Sequence, residues 1–259
     1  MAPMRILTTF LIAGLMGVAT AAESPRIHPA IQAAVDSPER PAKDRQRDAR
    51  RHYAEVMEFF GVRPSMTIIE LFAAGGTTAE VLARAVGPEG KVYMQNPAWF
   101  YERAGTKDVD ERLANQRLPN VERLDKPLND LGLAPASLDG AVANMVLHDF
   151  FWLSTDVPDV LSDLFVALKP GGWFGVVDHS APAGTGAQHA LDRDKGTHRI
   201  DEAYVKKLFA DAGYVLEAES ELLRNPKDDR SKPFFAPEFK TQDTDRFLLK
   251  FRKPAQKTE

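Results

Sequence analysis

Apolar residues in this chain follow two alternating rhythms. Short apolar, largely β-branched runs occur at 66–72, 91–96, 121–124, 138–147, 173–177, 214–222 and 245–252, as buried strands require. Between them the spacing lengthens to three and four residues: Val81, Leu82, Ala85 and Val86; Val160, Leu161, Leu164, Phe165 and Leu168; Val205, Leu208 and Phe209. Such positions give a helix one face to lay on a sheet. Asp156 or Pro158 opens the second of these helices, and Asp201 caps the third. A polar helix is predicted over 108–116. Alternating strands and helices predict an α/β fold built on a parallel sheet.

The stretch 66–96 is the clearest unit. A strand ends near Glu70 and small residues turn at 73–76. Thr77 or Thr78 caps a helix, Gly87-Pro88-Glu89-Gly90 stops it, and a second strand runs to Asn96. This βαβ unit predicts a right-handed crossover, with a ligand crevice at the carboxyl ends of the strands. The turn lacks a Gly-Lys-Ser/Thr ending, which argues against nucleotide triphosphate hydrolysis.

Upstream, a short helix is predicted through Ile31–Val35, then a long one from Ser37 to Phe60, ended by Gly61. Its first half is dense in charge, from Arg40 to Arg51. That density reads as a solvated face with intrahelical pairs, or as a patch for anionic ligands. Trp99, Phe100 and Tyr101 follow the second strand and could stack on a ligand ring or cover the sheet edge. Phe234, Phe235 and Phe239, in the polar segment 224–244, form a lid or a packed surface connection.

Composition changes the picture at the amino terminus. Arg5 precedes an apolar run from Ile6 to Ala19, and Ala19-Thr20-Ala21 fits a small-x-small cleavage pattern. Residues 1–21 therefore read as a signal peptide, 22–60 as a leader and long helix, and 61–259 as one domain. Export to a periplasm or medium is expected, with no stable membrane anchor after cleavage. There is no Cys, so no disulfide supports the fold. A net charge of −4 gives no basic field for nucleic acid, which leaves a small molecule as the expected partner.

Several motifs then converge: Leu-Lys-Pro-Gly-Gly-Trp at 168–173, Gly75-Gly76, His148-Asp149, Asp178-His179 and the segment His198 to Asp201. With the strand order they make residues 53–252 resemble class I S-adenosylmethionine-dependent methyltransferases. Within that fold the chain looks most like a group of exported bacterial methyltransferases. The resemblance implies a Rossmann-like, doubly wound sheet of seven strands, the last antiparallel, with helices on both faces. It implies S-adenosylmethionine as cofactor, held by Glu70, Ala74, Gly75, Gly76, Asn96 and Asp125. Phe72 and Ala74 stand where the first two glycines of the usual motif would be, and Asn96 where an acid usually holds the ribose.

Methyl transfer needs two positioned reactants and, for some acceptors, a base. His148, Asp149, Asp178 and His179 follow strands at the ligand edge. His148 is the expected base and Asp149 or Asp178 its orienter, the alternative being that these groups tie loops. A metal site built from His148, His179, His189 and His198 with neighbouring Asp is a rival reading, but no His-x-x-x-His spacing supports it, so no ligands are assigned. A third reading keeps the fold without the cofactor, as a small-molecule-binding protein.

Overall fold

The computed structural model describes residues 26–153 and 155–255. The expected signal peptide, 1–21, lies outside the described residues.

Strand β1 (Thr67–Glu70) is the third strand across a seven-stranded sheet. The others are β2 (Lys91–Gln95), β3 (Val121–Leu124), β4 (Leu138–Asn144), β5 (Leu168–His179), β6 (Val215–Ser220) and β7 (Arg246–Arg252). Their order is β3-β2-β1-β4-β5-β7-β6. The first five run parallel, while β7 is antiparallel to both β5 and β6. This is the Rossmann-like methyltransferase fold. The sequence of strands reverses direction across the sheet between β1 and β4, so their carboxyl ends diverge into a crevice.

Alternate residues of each strand feed opposite faces, as the pleat dictates. Ile69, Ala141, Phe174 and Phe251 pack under α8 (Val157–Ala167) and α9 (Glu202–Asp211). Ile68, Val142, Trp173 and Leu248 pack under α1 (Pro29–Asp36), α4 (Tyr53–Phe60) and α5 (Thr77–Val86). On that second face Phe60 stacks on Trp173, with ring centroids 5.7 Å apart. Asp156 and Asp201 cap α8 and α9 through backbone amides. Among the described residues no helix is long and apolar enough to cross a membrane.

The predicted long helix over 37–60 is three pieces: α2 (Ala42–Arg45), α3 (Asp48–Arg51) and α4. His52 breaks it with φ at 49°. Charge burial accompanies the break. Arg40 and Asp44, expected on a solvated face, are each 2% exposed. Arg40 donates to both Asp48 oxygens at 2.8 Å. Asp44 accepts from Arg112 at 2.8 Å.

Two further helices, α6 (Ala98–Ala104) and α7 (Lys107–Leu113), complete the crevice wall; α6 was not anticipated, and α7 is the shortened form of the helix expected over 108–116. Arg112 on α7 bridges Asp44 to the fully buried Glu80 of α5 and also binds the Gly75 carbonyl. It joins the amino-terminal segment to the sheet. Arg112→Ala strands the buried Asp44 carboxylate, and a loss of about 3–5 kcal/mol is expected in denaturant unfolding.

Candidate active site

Three neighbouring cavities open at the carboxyl ends of the strands. The first, of about 260 Å³, is lined by Glu70, Phe72, Ala74, Gly75, Thr78 and Asn144, among others. Glu70 closes β1 and is 4% exposed. Burial pushes its carboxyl up to about 8, although Thr78, the Ala79 amide and Arg112 pull the other way. Its Oε2 is buried and has no hydrogen-bond partner. It is a protonated acid at neutral pH, with one oxygen left for a ligand. The expected threonine cap of α5 is not formed: Gly76 is the cap residue, and Thr78 turns inward to Glu70 and Asn144.

Gly76 has φ of 77°, and an added Cβ would stand 2.5 Å from the Met94 sulfur. Only glycine fits both constraints. Phe72 and Ala74 adopt the same left-handed region at φ 50°, where they replace glycines. Met145 and His198 do so as well, at 60° and 53°. All four line one of the three cavities. Strain of about 1–3 kcal/mol each is held where a ligand would sit.

Two residues expected to hold the cofactor are engaged by neighbours within the protein. Asn96 is fully buried and its amide is already used. Its oxygen accepts from the Ala74 amide at 2.8 Å, and its nitrogen donates to the Ala74 carbonyl and the Tyr101 hydroxyl at 3.0 and 2.9 Å. It fixes the turn and lines none of the three cavities. Asp125 is paired with Arg123 at 2.8 Å and lines none of the three cavities. In the first cavity the group left for a ligand is Glu70 Oε2. An aromatic surface lies on the other side of Phe72. There a cavity of about 640 Å³ is lined by Trp99, Phe100 and Trp152. Trp99 and Phe100 pack on Phe72 at 5.8 and 5.5 Å, while Tyr101 serves Asn96 instead.

The third cavity, of about 560 Å³, shares Arg47, Arg51, Asn144 and Met145 with the first. It is cationic: Arg47, Arg50, Arg51 and Arg246 line it, so the patch reading of the early charges is the one the geometry supports. Arg50 is paired with Asp243 at 3.0 Å. Arg51 touches the Met145 sulfur, and burial, then Arg47 and Arg50, hold its guanidinium below the usual arginine range. Burial lowers Arg246 to about 10, and its Nε is buried without a partner.

The four residues at the ends of β4 and β5 do come together. Asp178, fully buried, accepts from the amides of His148 and His179 at 2.8 Å and lies 2.7 Å from His148 Nδ1. Asp149 Oδ1 is 3.3 Å from His148 Nε2 and 3.2 Å from His198 Nδ1. Burial alone would depress His148, but Asp178 and Asp149 outweigh it and raise the imidazole to about 10. An imidazole held protonated and out of the cavities is unsuited to be the expected general base. Burial and then the His148 charge push His179 well below its ordinary value. His179 is the neutral ring that faces the cationic cavity, with Phe234 stacked on it at 4.6 Å. His189 stands apart and meets only the Thr197 hydroxyl. Sequence reasoning missed Arg246 and the cavity role of Arg51; the charge density of 40–51 was the available signal for the latter.

Glu70→Gln mimics the protonated acid. Because the folded pKa lies above the unfolded value, wild-type stability declines as pH rises from about 4.5 to about 8. The variant should match wild type below pH 5. It should exceed it by on the order of a few kcal/mol at pH 9, read from urea midpoints.

No family model matches the sequence. Solved structures do. A SAM-dependent methyltransferase from Aquifex aeolicus superposes with a TM-score of 0.59 at 19% identity, over 86% of this chain and 96% of that one. The geranyl diphosphate C-methyltransferase of Streptomyces coelicolor A3(2) gives 0.58 at 14% identity, covering 88% and 89%. An arsenic(III) S-adenosylmethionine methyltransferase from Chlamydomonas reinhardtii gives 0.54 at 18%, covering 89% and 75%. The chain shares the class I fold of S-adenosylmethionine-dependent methyltransferases.

Proposed function

We propose that this chain is an S-adenosylmethionine-dependent methyltransferase whose acceptor is a small anionic molecule. The observation that carries the reading is the buried Glu70 carboxyl, with its unpartnered Oε2 in the wall of a cavity at the end of β1. An ammonium group is the natural partner for that oxygen. The guanidinium of Arg47 lies on the same cavity and suits a carboxylate. The bound cofactor would supply an electrophilic methyl group on a sulfonium.

The chain's own residues then have separable tasks. Arg51, which makes no ion pair among the described residues, and Arg246, paired only with Asp243 at 3.5 Å, hold the acceptor's anionic group in the adjoining cavity. Phe234 and Phe239 cover its apolar part. His179, neutral and facing that cavity, offers a ring to orient the acceptor by hydrogen bonding rather than a strong base. The export reading rests on the Arg5 to Ala21 pattern alone.

A second reading has a specific observation in its favour. The Asn96 amide is already used by Ala74 and Tyr101, which suits a protein that keeps the fold and binds an anion without the cofactor.

Calorimetric titration with S-adenosylmethionine and S-adenosylhomocysteine separates the two. Micromolar binding is expected. Glu70 should release a proton as it ionises against the ammonium, so the observed enthalpy between pH 6 and 7.5 should vary with buffer ionisation enthalpy. Glu70→Gln should weaken binding by about tenfold or more and abolish the buffer dependence. No binding at millimolar ligand would leave the second reading standing.

A further inference from the structure

Three ligand-type atoms face one another beneath Phe234. Asp178, with amide donors already on both oxygens, accepts from His148 Nδ1–H, so Nε2 is the nitrogen whose proton a metal ion can displace. That Nε2 is buried without a hydrogen-bond partner. His198 Nε2 lies 2.7 Å from the Arg193 carbonyl, which can only accept, so His198 Nδ1 is the nitrogen left for a metal ion. Both nitrogens converge on Asp149 Oδ1, at 3.3 and 3.2 Å.

We infer that His148 Nε2, Asp149 Oδ1 and His198 Nδ1 form a binding site for a divalent transition-metal ion, with zinc the best match. The three atoms lie within 4.8 Å of one another. Ligands about 2.0–2.1 Å from a tetrahedral zinc stand about 3.3 Å apart, as the two measured N···O distances do. A single proton on His148 relieves one of the two contacts; a metal ion relieves both.

Each ligand is also held from behind. Asp178 fixes the His148 tautomer, the Arg193 carbonyl fixes that of His198, and Trp152 Nε1 donates to Asp149 at 2.8 Å. Carboxylate and carbonyl partners of this kind orient metal-bound imidazoles, and the Trp152 bond falls on Asp149 Oδ1, the ligand oxygen itself, whose second lone pair is left for the ion. Asp149 and His198 line the aromatic cavity, so the fourth position opens toward it. Two His and one carboxylate with an open position is the pattern of a reactive rather than a closed structural site. None of the three ligands lines the Glu70 cavity, so the inference stands whether or not the cofactor reading does.

The test uses the untagged, full chain. Chelator-treated protein is titrated with Zn²⁺ in a calorimeter, and with Co²⁺ followed by its visible absorption. One ion per chain is expected, with the intense bands of a four-coordinate cobalt site. His198→Gln and Asp149→Asn should each weaken binding about 100-fold or more, beyond what loss of an outer partner does. His189→Gln should leave binding unchanged. Should Asp149→Asn fail to fold, His198→Gln decides, because its side chain sits at the cavity edge. Less than a tenth of an ion per chain, or full affinity retained in His198→Gln, would overturn the assignment.

Discussion

Asp178 is the group on which the functional end of the sheet depends. It ends β5 in full burial, where an unpaired carboxylate would be very costly, and it is satisfied by two amides and one imidazole. Those bonds draw the turn after β4 onto the end of β5. His148 is thereby fixed in ring orientation, Asp149 is placed beside it, and His198 is met across a loop of nearly twenty residues. The floor shared by the aromatic and cationic cavities follows from that one carboxylate.

The opposite wall is also built from buried charge. Arg40 with Asp48 and Arg112 with Asp44 and Glu80 fold the amino-terminal segment over the crevice. These pairs are compensated. Arg51 beside them makes no ion pair among the described residues, and Arg246 reaches Asp243 only at 3.5 Å; a buried cation so weakly paired is tolerated where a ligand or water completes it. Compensated charges hold the wall in place, and under-compensated ones mark what it faces. The Arg199–Asp228 pair, bidentate and buried, does the same for the outer segment that brings Phe234 over His179.

The parts of the site legible in the sequence were those set by strand ends. A carboxylate closing β1, a small-residue turn, and acid–histidine pairs after β4 and β5 all emerge at one edge, because parallel strands expose their carboxyl ends together. Their roles were less legible. Asn96 is at the ribose position in the chain, yet its amide is consumed by Ala74, which only the folded turn brings within reach. Asp125 is drawn outward by Arg123, two residues away. His148, the best base by position, sits between two carboxylates that keep its proton in place.

Sequence alone determined the α/β class, the seven strands and the glycine at 76, because these follow from short-range periodicity and backbone sterics; the antiparallel final strand was implied by the family resemblance. The amino-terminal segment shows where that reach stops. Its charge density read first as a solvated helix face and second as an anion patch, whereas the folded chain breaks at His52 and buries Arg40 against Asp48 and Asp44 against Arg112. Which arginines are compensated, which imidazole stays neutral and which ring nitrogens converge were decided by tertiary structure. The reason is physical: a charge's state depends on what surrounds it within a few ångströms, and those neighbours are 30 to nearly 200 residues away along the chain.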